Sequence, residues 1–379
     1  MRTFKKTGLI IAFIILLIFM STLSASAENE NTENPTDKLY QRVLEKSGAA
    51  ELDSLLPNNE ANILKDLGFD FKHSQDPFKI SEKGVLETLL DFFKNGFTAP
   101  LKTCLTIIGV LLIFASFSGI WGAKADNMSL FVCFVSAIIS TAPIFSIMEA
   151  VKSTIQSLCT FMLGLVPVYA GVAISAGKTS ATGGFSALLL LATEAVSYLI
   201  SYFFIPISGA VICLSICGGL SPALIILRLT EWIKKAANWA MGIATTLFLG
   251  VLSVQNSFLT VADGVGLRTS KAVIGTAIPI MGPAIAETVG TATSCLNLLS
   301  SSVGIYAVLA VSVLTLPIII ELFLWRVSMW VCSAVADTFG MPQMEKILKS
   351  IDFGLSVLLS AMLFTSLLFI IALTVTIKG

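Results

Sequence analysis

The sequence predicts an all-α, polytopic membrane protein of about eight spanning helices plus a re-entrant hairpin, behind a small exported helical segment. Three observations predict it. Only 13% of the 379 residues are charged while 55% are hydrophobic, against about 25% charged in a soluble domain. The charges are uneven: residues 28–100 hold 14 acids and 8 bases, whereas residues 101–379 hold only 10 acids and 13 bases. Those later residues fall into long uncharged runs, several of which exceed the roughly 20 residues that a spanning helix needs.

The chain opens on a targeting pattern. Arg2, Lys5 and Lys6 precede a short apolar run from Gly8 to Met20, and Ala25-Ser26-Ala27 supplies the small residues of a cleavage site. This predicts a signal peptide over 1–27, removed after Ala27. The alternative is an uncleaved anchor, and both place residues 28–100 outside the cytoplasm. That extracytoplasmic segment reads as helical. Val85, Leu86, Leu89, Leu90, Phe93 and Phe97 recur at helical spacing, opposite Glu82, Lys83, Glu87, Asp91 and Lys94. With Pro100 following, this predicts a juxtamembrane amphipathic helix lying along the membrane as an elbow. The core-facing helix of a small exported domain is the other reading.

The polytopic membrane domain is expected over 101–379. Its spans are expected at roughly 102–121, 128–148, 155–176, 185–204, 208–227, 239–260, 303–324 and 353–377, with a tight reversal near Pro206 and Gly209. Residues 272–286 are short for a span and contain Gly275, Pro279, Gly282 and Pro283. Broken backbone of this kind suits a re-entrant hairpin packed inside protein. With that stretch not crossing, Lys124, Lys178, Arg228, Lys234, Lys235, Arg326, Lys346 and Lys349 fall on the cytoplasmic side. Lys152, Arg268, Lys271 and Lys378 fall outside. The excess of inner bases obeys the orientation rule. From Arg228 to Ala240, Leu229, Trp232, Ile233, Ala236 and Trp239 form one face and Arg228, Glu231, Lys234, Lys235 and Asn238 another. Tryptophans beside lysines suit the cytoplasmic membrane interface.

Several chemistries are excluded. The 24 bases balance the 24 acids, so no net field recruits nucleic acid. His73 is the single histidine, which leaves no Ser/His/Asp or Cys/His set in the membrane domain. Cys213 and Cys217 share a helical face, but no histidine stands near them, so no metal site is expected. The seven cysteines are an odd number and all lie beyond residue 100, which argues against a disulfide framework. Gly177-Lys178-Thr179-Ser180 resembles the end of a phosphate-binding loop, but Val172 stands where the upstream glycine is needed. Asp263-Gly264-Val265-Gly266 lacks the third glycine of a dinucleotide fingerprint, with Thr269 in its place. Neither a nucleotide nor any other cofactor is expected, and the chain reads as non-enzymatic.

Candidate functional positions come from polarity in apolar surroundings. Glu194, Glu287 and Glu321 lie in or beside apolar runs, where an acid costs roughly 2.5–3.5 kcal/mol on insertion scales. Glu194 sits inside a span and lines a polar path or an assembly contact, or else is a protonated acid hydrogen-bonded between helices. Glu321 is near enough to Arg326 to pair with it. The densest polar and glycine punctuation runs from Ser253 to Asn297, with Gln255, Asn256, Asp263, Arg268, Lys271, Pro279, Gly282 and Glu287.

Two stretches of that region, Ser253 to Lys271 and Thr276 to Glu287, resemble the stage III sporulation protein AE family of endospore-forming bacteria. The resemblance covers essentially the whole chain. It implies a membrane component of a transenvelope channel or export assembly joining mother cell and forespore. The implied partners are the other stage III A proteins and a forespore-side protein, beside the lipid bilayer itself. The family supplies no catalytic residues to carry over. The rival reading is a secondary transporter or permease acting alone, suggested by Glu194 and the broken stretch.

Overall fold

The computed structural model describes residues 52, 54–67, 82–121, 125–175, 191, 193–220, 228–240, 242–244, 246, 250 and 282–378. Among the described residues all regular structure is helical. The elements are α1 (Asn58–Asp66), α2 (Glu82–Trp121), α3 (Ala125–Ser175), α4 (193–220), α5 (228–240), α6 (Gly282–Thr338) and α7 (Pro342–Lys378). Five of them, α2, α3, α4, α6 and α7, contain stretches long and apolar enough to cross a membrane.

The antiparallel pair α6–α7 forms the centre. Its two apolar windows are 78% and 67% buried, against 22% for α2, 44% for α3 and 33% for α4. The turn between them follows from Gly340. Its φ of +68° is a left-handed conformation that glycine adopts without a Cβ clash. The Gly340 amide donates to the Asp337 carbonyl at 2.9 Å and the Met341 amide to the Ala336 carbonyl at 3.0 Å. That double bond closes α6 with its end carbonyls satisfied. Pro342 then opens α7, where its missing N–H costs nothing.

α2 lies along α6 in the same direction: Gly96 meets Glu321 and Leu324, while Cys104 meets Ser328 and Cys332 one to two turns later. α3 packs on the other flank, with Phe161 and Tyr306 ring centroids 6.4 Å apart. α4 packs on α7, and α1 joins the same core through Leu56, Ala61, Leu64 and Leu67. Just before α1, Leu55 lies over Gly164 of α3, so closely that a Cβ there would stand 2.5 Å from Leu55 Cδ1.

Three expected breaks are continuous helix. α2 continues as helix through Pro100, and its apolar residues Leu90, Phe93 and Phe97 are exposed. The spans expected at 128–148 and 155–176 are one helix of 51 residues. Glu149 and Lys152 suggest a loop there, but both are merely exposed on a helix whose buried stripe of Ile144, Ile147, Val151, Ile155, Leu158 and Met162 never breaks. No glycine or proline stands between Glu149 and Thr154 to end it. The reversal near Pro206 and Gly209 is also absent. Residues Ile200–Phe204 form a π turn, with the Ile205 amide donating to the Ile200 carbonyl. That extra residue in the turn accommodates Pro206, which has no amide to offer, and the helix continues to Leu220.

The remaining expectations fall largely on residues outside this set. The signal peptide lies outside the described residues, and so do Gln255, Asn256, Asp263, Arg268, Lys271 and Pro279. Most of the 239–260 span lies outside them as well. Of the expected re-entrant hairpin only its end is described. There Gly282 and Pro283 are the first two residues of α6, a position that suits proline.

Candidate functional site

The polar chemistry of the described membrane helices gathers along α7 and the faces packed against it. Arg326 of α6 is buried and binds Asp352 of α7 through two guanidinium nitrogens, Nε to Oδ1 at 2.9 Å and Nη2 to Oδ2 at 3.5 Å. This two-point geometry fixes both side chains. The expected partner of Arg326 was Glu321, and the structure corrects this. A hairpin turning at Gly340 brings Asp352 opposite Arg326, while Glu321 lies more than a turn away on the same helix.

Two neighbours of Asp352 tie in further helices. Ser350 Oγ accepts a hydrogen bond from Lys234 Nζ of α5 at 3.2 Å, and the same ammonium lies 5.1 Å from the centre of the Phe353 ring. Burial lowers the Lys234 pKa, and the nearby Glu231 carboxylate partly restores it. Gly354 accepts a hydrogen bond at its carbonyl from Ser208 Oγ of α4 at 2.9 Å. A Cβ on Gly354 would stand 2.8 Å from Ile212 Cδ1, so α4 and α7 meet at a position that only glycine fills without displacement. Five consecutive residues of α7 thus hold three different helices.

Farther along the hairpin, Thr315 and Ser366 share a buried hydrogen bond of 3.1 Å between their hydroxyls. Cys104 and Cys332 bring their sulfurs to 3.3 Å between α2 and α6. Trp325 is 1% exposed, and its hydrogen-bonding neighbour is Glu321, one turn earlier on the same helix.

The sequence-predicted positions are placed differently. Glu194 is exposed on α4, one residue after Thr193, whose carbonyl faces Cys159 Sγ at 3.8 Å. Gly282 and Glu287 lie in the first turns of α6. None of these three is joined to the Arg326–Asp352 cluster by any described contact. Among the described residues no group of three or more His, Cys, Asp or Glu is placed to hold a metal ion.

A buried ion pair, helix-to-helix hydroxyl contacts and five helices of spanning length define a multi-pass helical membrane protein. The sequence profile of the family described as stage III sporulation protein AE matches residues 69–379. The chain belongs to that family. A relative named "Stage III sporulation protein AE" from Bacillus subtilis (strain 168) is 23% identical over 393 residues, covering 98% of this chain and 96% of that protein. No solved structure matches the chain.

Proposed function

We propose that this protein is a non-enzymatic membrane subunit of a multiprotein channel or export assembly needed for endospore formation, joining mother cell and forespore after engulfment. Its proposed partners are the other stage III A proteins and a forespore-side protein. Family membership supports the sporulation role. One observation carries the assembly role. The exposed face of α3 is apolar from Phe131 through Phe134 and Ile138 to Phe145, and continues through exposed Glu149, Lys152, Gln156 and Thr160 to Leu163. At 1.5 Å per residue the apolar part is roughly 21 Å long and fits within about 30 Å of hydrocarbon, whereas the charged and amide groups beyond it do not suit lipid tails. A partner surface along Glu149 to Thr160 would satisfy these groups, which supports an assembly role.

The topology that fits this role has six crossings: the five described apolar helices and one in the 239–260 stretch. Residues 28–100, after removal of the signal peptide, lie in the space between the membranes. The turn at Gly340, together with α5, faces the cytoplasm. Lys178 then moves to the outer side, while Lys124, Arg228, Lys234, Lys235, Arg326, Lys346 and Lys349 stay inside, so the excess of bases remains on the inner side. Purification from sporulating cells in mild detergent tests the assembly role, with the stage III A proteins expected to co-purify. Isolation without partners, combined with ion-coupled uptake by the protein alone in liposomes, would contradict it and support a transporter.

A further inference from the structure

α5 presents two stripes. Thr230, Lys234 and Ala237 recur at spacings of four and three and face the protein, with Thr230 and Ala237 buried and Lys234 anchored on Ser350 and Phe353. Arg228, Trp232, Lys235 and Trp239 recur at spacings of four, three and four on the opposite side, and all four are exposed. Such spacings stack side chains on one helical face. Trp232 and Trp239 are 73% and 76% exposed, and Leu229 and Ile243 beside them are exposed as well. The arrangement differs from the expected division into an apolar and a charged face, because two of the bases share the outward stripe with the tryptophans.

The geometry points to α5 as a binding surface for anionic phospholipid, with the indoles seated at headgroup depth and Arg228 and Lys235 on lipid phosphates. The apolar side alone fits any bilayer. The bases interleaved with it add the charge complementarity that selects an anionic headgroup. Arg228 and the tryptophans would also suit a protein interface, but Lys235 would not, and tryptophan interleaved with bases belongs to membrane interfaces. Glu231 is the single acid on this helix. Through Lys234 and Ser350 the lipid contact is continuous with α7, two residues from Asp352.

The test uses the full chain reconstituted in bilayers carrying either brominated phosphatidylglycerol or brominated phosphatidylcholine, and reads quenching of tryptophan emission. The Trp232→Phe/Trp239→Phe variant identifies the share due to α5. Quenching of that share by the anionic lipid is expected at a lower mole fraction than by the zwitterionic one, about fivefold lower for each participating base. Arg228→Gln/Lys235→Gln should equalise the two lipids while leaving quenching in place. Raising salt to about 1 M, where screening acts within roughly 3 Å, should erase the preference in the unaltered protein without relying on any variant. Equal quenching of the unaltered protein by both lipids overturns the proposal. So does a preference that survives high salt, or an α5 share that neither lipid quenches, which would place a protein surface there instead.

Discussion

The α6–α7 hairpin and α3 are similarly apolar and both exceed a bilayer in length, yet they stand differently in the molecule. Along α6–α7 polar side chains reach across to other helices: Arg326 to Asp352, Thr315 to Ser366, and Ser208 of α4 to the Gly354 carbonyl. On α3 the hydroxyls of Ser140 and Thr141 turn back onto their own helix, to the Ser136 carbonyl at 2.8 Å and the Ala137 carbonyl at 2.6 Å. Ser312 and Thr365 do the same in the hairpin, and Thr315 bonds the Val311 carbonyl besides Ser366, so the contrast lies in the added crossing contacts. Self-satisfied hydroxyls leave a helix free to face lipid or a partner. Hydroxyls and charges spent on neighbours fix it in the centre. Hydropathy alone does not separate the two, because hydrocarbon and a protein core are equally apolar.

The largest way to break this contrast is to remove half of the ion pair. Arg326→Leu leaves Asp352 without its partner and should cost about 3 kcal/mol, the lower end for a buried pair because Asp352 is partly exposed. Arg326→Leu/Asp352→Leu should recover most of that loss. Reversible unfolding in mixed micelles measures both, and a double variant as unstable as the single one would show that the pair is not the cause.

Next in size is Gly354→Leu. Its added side chain meets Ile212 within contact distance, and overpacking of this kind costs about 1–3 kcal/mol. Gly354→Ala should be milder, since the far end of Ile212 can shift. Cross-linking between cysteines placed on α4 and α7 reports the separation. Unchanged yields in Gly354→Leu would mean that the two helices do not meet at this position.

The smallest effect sharpens the comparison most. Thr315→Val keeps shape and removes the hydroxyl that reaches Ser366. Interhelical hydrogen bonds in membranes are worth about 0.6 kcal/mol on average. Thr141→Val on α3, where the hydroxyl serves only its own helix, should change stability by clearly less. Equal losses at the two sites would erase the distinction between crossing and self-satisfied hydroxyls.

Much of the fold is legible in the sequence, and the misreadings share causes. Uncharged runs locate all five described apolar helices, because burying charge in hydrocarbon is costly enough to keep them clean. Helix ends are less legible. Glu149 and Lys152 read as a loop, although an exposed pair one turn apart sits easily on a helix that continues. Pro206 reads as a reversal, and only a π turn, which leaves no mark in residue type, lets the helix pass it. The Arg326–Asp352 pair is hidden by distance along the chain. It becomes readable once Gly340 followed by Pro342 is taken as a hairpin turn. Positions equally far from that turn then face each other, Arg326 with Asp352 and Thr315 with Ser366. Glu194, conspicuous as an acid in an apolar run, is exposed on α4.

The difference between the two regions is tested most directly by photo-crosslinking along α3 in sporulating cells. A benzophenone amino acid is placed in turn at Phe131, Phe134, Ile138, Phe145 and Leu163, all outward-facing. A protein-sized adduct is expected at Leu163, and adducts to lipid alone from Phe131 to Phe145, because exposed Glu149, Lys152, Gln156 and Thr160 separate the two ends of this face. Lipid adducts from all five positions would contradict the assignment of α3 to an assembly surface.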